Sequence, residues 1–371
     1  MMLAECLQGI RVLDLTQYIP GPFATQWLTD LGAEVVKVEP PIGDPMRTMG
    51  PVDPDGTTPF YKLANRNKTI VRLDLKSERG KAALAGLLAK ADVLVEAYRP
   101  GVLTRLGFDP ERLAELNARL IHCSLSGYGQ TGPLAPVAGH DLTYVALTGG
   151  LWASGTSDRP VMTFPPLADH AGAMLAVIGI LSALVRRGVS GKGARLDLSL
   201  SEAALSWMGG VLTAAKRFGT VGREDDIING GAGFYRIYKT ADSRFVALAA
   251  IEEKFWERFC IAVERPHWIT RQSEPMPQNE LISDLDTLFR GKDRDAWVAL
   301  LAPVDCCFEP VLEPSEVAHH PQWKDRGIVQ DGIDRDNLAE VLLPVFLDGA
   351  RAYHRRPFKE EPVEAVLDLW R

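Results

Sequence analysis

Apolar and polar positions change period several times along the first third of the chain. Residues 10–15, IRVLDL, form an apolar stretch of strand length, and YIPGP turns the chain out of it. FATQWLTDLGA carries its apolar positions at helical spacing and stops at Gly32, and EVVKVE follows as a second strand. The alternation continues with TIVRLDL (69–75) as a strand and SERGKAALAGLLAKA as a helix behind a Ser cap, with Glu78 in its first turn. DVLVEAY is a fourth strand ended by Arg99-Pro100-Gly101, PERLAELNAR a further helix, and LIHCSLSGYG the next strand. Strands separated by helices predict an α/β fold: a parallel, Rossmann-like sheet with helices on its faces and ligands beyond the carboxyl ends of the strands.

From Ala171 to Val185 the residues are nearly all small or apolar, which predicts a helix buried all round. Asp169 falls at its N-cap position, and Arg186 and Arg187 close it beside Gly188. GKGARLDLSLSEAALSWMGGVLTAAKRFG then reads as a short strand and a long helix, and the turn-rich VGREDDIINGGAG as a linker or loop. GFYRIYKTADSRFVALAA gives two strands about a turn at Thr240-Ala241-Asp242-Ser243, and IEEKFWERFCIAV a helix. The expected organisation is a large domain whose first part is 1–187, linker helices at 188–228, and a smaller α+β domain at 229–315. Residues 316–371, rich in proline and charge, either return to the large domain or wrap a partner.

Composition narrows the function class. The chain has 371 residues, 46% hydrophobic and 24% charged, as a globular protein of two domains would. A net charge of −7 leaves no footprint for nucleic acid or a membrane surface, so an anionic ligand needs a local basic pocket. At about fifteen residues the 171–185 helix is too short to span a bilayer. The N-terminal MMLAECLQGIRVLDL lacks the layout of a signal peptide. Five cysteines without CxxC spacing (Cys6, Cys123, Cys260, Cys306, Cys307) read as reduced thiols, which gives a cytoplasmic expectation.

The stretch from Gly139-His140-Asp141 to Asp169 carries the chemistry. It brings a histidine and carboxylates within reach of one pocket, which proton transfer requires. Asp169 reads either as a capping side chain or as an oriented base or nucleophile. Lys37, Arg66, Lys68 and Arg99 cluster near strand ends, where they cradle phosphates or stand as solvated rim charges; Arg99, stiffened by Pro100-Gly101, is the strongest of them. Glu252, at the junction of strand and helix, reads first as a partner of the helix dipole. His122 reads as a core histidine, and His319-His320 have no metal-ligand companions. Glu39 ends the second strand as in a dinucleotide site, but no G-x-G-x-x-G turn precedes it. Metal-protease, P-loop and nucleophile-elbow motifs are absent from the sequence.

Five segments in order, IRVLDLTQYIPGPFATQWLTDLGAEVVKVEPP, NRNKTIVRLDLKS, DVLVEAYRPGVLTRLGF, SLSGYGQTGP and SGKGARLDLSLSEAAL, together resemble the class III CoA-transferase family (CaiB/BaiF type). Gly139-His140-Asp141 and the segment around Glu252 are most similar to its α-methylacyl-CoA racemase branch. The resemblance implies a Rossmann-like large domain completed by the C-terminal segment, a smaller domain, and an interlocked homodimer. It implies an acyl-CoA substrate that brings coenzyme A with it, no metal and no tightly bound cofactor, and Lys37, Arg66, Lys68, Arg99 and Tyr128 as the residues around coenzyme A. In a racemase His140 and Asp169 would exchange a proton at the carbon next to the thioester, with Asp141 and Glu252 orienting them. Backbone N–H groups at the start of the Asp169 helix would hold the enolate oxygen. In a transferase Asp169 would instead attack the thioester. Where the racemase pattern has an Asn before the Asp and a Gly run after it, this chain has Phe164-Pro165-Pro166-Leu167-Ala168-Asp169 and His170-Ala171-Gly172-Ala173. The acyl group, and the choice between racemisation and transfer, stay open at this point.

Overall fold

The computed structural model describes residues 3–220, 222–331, 338–351 and 355–370. The chain divides into two compact units. The larger comprises Met1–Leu147, Phe164–Trp207 and Ala318–Arg371, and the smaller Thr148–Thr163 and Met208–Val317. Relative to the sequence reading, 148–163 leaves the large domain, and the strand and helix at 194–205 join it rather than forming a linker.

The main sheet of the larger unit has seven strands among the described residues: β1 (Arg11–Leu15), β2 (Glu34–Glu39), β3 (Thr69–Arg72), β4 (Val93–Glu96), β5 (Ile121–Ser126), β6 (Ala194–Ser199) and β7 (Lys359–Glu360). Their order is β7-β3-β2-β1-β4-β5-β6, and every ladder is parallel. Successive strand residues face opposite sides, and both sides are apolar. Val12, Val35, Val93, Val95 and Ile121 pack into one core, and Leu13, Val36, Val38, Val71 and Leu94 into the other. The strand order reverses between β1 and β4, where an open α/β sheet leaves a crevice beyond its carboxyl ends.

Three helices matter for that crevice. Helix α1 (Pro20–Asp30) starts with Pro at its first turn, which suits a position whose N–H has no partner. Helix α2 is Asp141–Ala146, and α3 is Leu167–Ser190. Helix α3 corrects the sequence reading in three ways. It begins at Leu167, so Asp169 lies in its first turn and Pro166 holds the N-cap position. It runs through Gly188 to a left-handed Gly191 with φ +70°. It is not buried all round: Ala173, Ala176, Val177 and Ile180 enter the core, but Met174, Ile178, Val185 and Val189 are exposed. Its 24 residues are also long enough to cross a bilayer, which removes the length argument; one face is nevertheless committed to the core against β5 and β6.

The smaller unit is built on an antiparallel sheet of Tyr235–Lys239, Phe245–Ala249 and Phe308–Pro310, with Phe245–Ala249 in the middle. The turn expected at 240–243 joins the first two strands and places Ser243 at φ +64°. Trp256, Phe259, Phe289 and Trp297 fill its core. All five cysteines are free thiols.

Candidate active site

The cleft of the larger unit begins with the turn after β1. Asp14 is fully buried in β1, and its Oδ1 accepts hydrogen bonds from Thr16 N–H (2.9 Å) and Thr16 Oγ1 (2.5 Å). Its Oδ2 takes Thr25 Oγ1 at 2.6 Å and Lys68 Nζ at 3.1 Å. Burial alone would raise this carboxyl; the charges of Lys68 and Lys37 and the Thr hydroxyls hold it at about 2. Lys37 Nζ donates to Thr16 O at 3.1 Å. The turn is therefore tied down from three sides, and it delivers Gln17 and Tyr18 to the cleft. Tyr18 sits at φ +63°, a left-handed conformation that a bulky residue adopts at a cost.

The turn after β4 supplies Ala97, Tyr98, Arg99 and Pro100, and the end of β5 supplies Leu125, Ser126, Gly127 and Tyr128. Residues 135 and 137–140, Tyr144, Asp169 and Leu200 complete a cleft of about 320 Å³. Close packing explains its glycines. A Cβ on Gly139 would lie 2.5 Å from the Tyr144 ring, and one on Gly127 2.6 Å from it. Tyr144 donates its hydroxyl to Gly139 O and packs edge-on against Tyr128, with ring centroids 5.1 Å apart.

His140 and Asp169 reach this cleft from different elements. His140 is exposed at the N-cap position of α2, where Thr143 Oγ1 accepts from its N–H (3.1 Å) and donates to its carbonyl (2.8 Å). Its ring meets the Tyr18 ring edge-on, with centroids 6.1 Å apart. Asp141 turns away to α3: its Oδ1 accepts N–H bonds from Ala168 (2.6 Å) and Asp169 (3.1 Å). The carboxylate that caps α3 is thus Asp141, not Asp169. The same bonds occupy two backbone donors that the sequence reading assigned to an enolate oxygen.

Asp169 is left with its carboxylate free of hydrogen bonds among the described residues. Burial pushes its pKa up to about 6, the nearby Asp141 charge pushes the same way, and His170 and His140 pull back. A carboxylate titrating there can give and take protons near neutral pH.

The other expected residues divide. Arg99 stands exposed on the cleft with no ion-pair partner among the described residues, and Tyr128 lines the same space. Lys37, Arg66 and Lys68 are neither rim charges nor open to a phosphate: each is at most 1% exposed. Lys37 pairs with Asp44 at 2.7 Å, Lys68 with Asp14, and Arg66 with Glu340 at 2.7 Å. Glu252 lies exposed in the smaller unit, at the start of helix Glu253–Ala262, without a side-chain capping bond, and is not among the residues lining the cleft. His122 is buried beside Ser124 and Glu96. Sequence reasoning passed over Gln17, Tyr18, Ser126 and Tyr144. Gln17, Tyr18 and Ser126 stand at or just beyond the carboxyl ends of strands that flank the crevice, which is the signal that would have found them.

Comparison with known proteins agrees with this architecture. A family model described as CoA-transferase family III matches residues 7–359. The α-methylacyl-CoA racemase of Homo sapiens is 33% identical over 98% of this chain and 92% of its own length. The acetyl-CoA:oxalate CoA-transferase of Acetobacter aceti is 32% identical over 94% of this chain and 91% of its own. A crystal structure of a CAIB/BAIF family protein from Brucella suis superposes with a TM-score of 0.86 at 27% identity, covering 98% of this chain and 99% of that one. The family match over residues 7–359, together with relatives above 30% identity and a superposition along nearly the whole length, makes this chain a member of CoA-transferase family III, a family that acts on acyl-CoA substrates.

Proposed function

We propose that the protein epimerises a 2-methylacyl-CoA thioester, removing the proton at C2 and returning it to the opposite face of a planar enolate. The observation that carries this reading is the arrival of His140 and Asp169 at one cleft, Asp169 with its pKa raised to about 6. One takes the C2 proton as its electron pair moves into the enolate, and the other delivers a proton to the second face, leaving their roles exchanged for the next turnover. The racemase-type His in Gly139-His140-Asp141 and the likeness to the Homo sapiens α-methylacyl-CoA racemase support the same choice. Arg99 is the cation available here for the phosphates of coenzyme A, which enters as part of the substrate. Glu252, which the resemblance implies as an orienting carboxylate, is left out of this proposal because it does not line the cleft. The reading includes a homodimer, supported by the stripe of Met174, Ile178, Val185 and Val189 along α3, exposed apolar surface of the kind that marks interfaces.

A second reading, CoA transfer to a carboxylic acid, is favoured by the unencumbered Asp169 carboxylate and by comparable identity to the Acetobacter aceti CoA-transferase. One experiment separates the two. Incubated in D2O with a single epimer of a 2-methylacyl-CoA and no acceptor acid, the protein is expected to exchange the C2 hydrogen, and Asp169→Asn to lose that exchange. Absence of exchange in the wild type, with hydroxylamine-sensitive CoA on Asp169, would replace epimerisation by transfer.

A further inference from the structure

Asp169 can react only if its carboxylate is held at a fixed place and angle in the cleft, and the first turn of α3 sets both. That turn has few anchors. Pro165 and Pro166 lead into it without N–H groups, and Pro166, at the N-cap position, has no side-chain acceptor. Asp141 holds the turn from one side, through the N–H groups of Ala168 and Asp169. The Pro166 carbonyl should close it by accepting the backbone N–H of His170, but that bond is long, at 3.4 Å.

The His170 side chain closes it instead. Its Nδ1 lies 2.6 Å from Pro166 O. A carbonyl oxygen only accepts, so Nδ1 carries the proton. The half-buried ring is backed by α1: it meets Phe23 edge-on with centroids 4.9 Å apart, and Phe23 packs in turn on Trp27 at 4.9 Å. The imidazole thus ties the N-cap of α3 to α1, and the turn it steadies is the one that carries its neighbour Asp169.

We propose that His170 is a positioning residue for Asp169: its Nδ1–H holds the Pro166 carbonyl and so fixes the turn on which the Asp169 carboxylate stands. The inference rests on the reading of Asp169 as the reacting carboxylate and holds whether that group moves a proton or attacks the thioester.

Two substitutions divide the donor from the ring. His170→Asn keeps an N–H donor where Nδ1 stands and loses the ring; His170→Phe keeps a ring against Phe23 and loses the donor. Both also remove the charge that pulls Asp169 back, so turnover, read as C2 exchange or as CoA transfer, is compared on the plateau above the acid limb. His170→Phe should lower kcat about 10-fold with KM little changed, as a displaced reacting group does, and His170→Asn should restore most of the loss. In ¹⁵N-histidine spectra taken on that plateau, the imidazole signal missing from both variants should be that of a ring protonated at Nδ1. Full turnover in His170→Phe, a loss in His170→Asn as large as in His170→Phe, or a signal protonated at Nε2 would each overturn the proposal. Asp169→Asn run in parallel keeps the two readings apart. If Asp169→Asn is dead and His170→Phe fully active, only the His170 role fails; if Asp169→Asn is fully active, the Asp169 reading fails and this inference with it.

Discussion

The Asp169 carboxyl owes its raised pKa first to burial and second to the charge on Asp141, which is held beside it by the amides at the start of α3. For a base that must be ionised in the free enzyme, kcat/KM is expected to fall as pH drops through about 6. Asp141→Asn keeps an acceptor oxygen for the two N–H groups but removes the neighbouring charge. The acid limb of the profile should therefore move below 6, towards the ordinary carboxylate range; an unmoved limb would show that Asp141 does not set it. This arrangement was half legible in the sequence. His140, Asp141 and Asp169 stood out as ionisable groups flanking one connection. That Asp141 caps a helix 27 residues further on was not legible, because the bond is made in space across two elements. The same limit explains Lys37, Arg66 and Lys68. Their positions near strand ends could be read, but their partners Asp44, Glu340 and Asp14 meet them only on folding.

At the scale of elements, hydrophobic period identified β1 to β5 and the intervening helices, since each buried strand is a short apolar run between turn residues. It misjudged α3, where a uniformly apolar stretch was taken for uniform burial; composition does not say which face of a helix is covered. The loops beyond β5 and before α2 are locked by one aromatic ring. Gly127 and Gly139 both abut Tyr144, whose hydroxyl holds the Gly139 carbonyl next to His140. Gly127→Ala should displace that ring, lowering stability by about 1–3 kcal/mol as overpacking does. It should also reduce kcat by on the order of 10-fold, through a misplaced His140. Calorimetry and C2 exchange on the same preparation check both; loss of stability with unchanged turnover would separate Tyr144 from the chemistry.

For the whole molecule, the sheet order places its reversal between β1 and β4, and the cleft is lined by the turns that follow these two strands. A sequence shows which strands exist, and the family resemblance supplied the rest of the expectation. The exposed apolar stripe on α3 is a property of the assembled fold. If it is the proposed dimer surface, the double variant Ile178→Lys with Val185→Lys should shift the mass measured by light scattering from dimer to monomer. A dimer that survives both lysines would place the interface elsewhere.

The strand Lys359–Glu360 completes the sheet by pairing with β3, and further along Trp370 accepts Arg11 Nη1 through its carbonyl (2.9 Å) and donates its indole N–H to Glu34 (2.8 Å). In biosynthesis this means that β3 emerges some 290 residues before the strand that covers its open side, the distance from Thr69 to its partner Lys359. A nascent chain stalled anywhere between would display an unpaired strand edge, the kind of surface that recruits chaperones or aggregates. A chain cut before Lys359 should therefore fold poorly, although it keeps every residue lining the cleft.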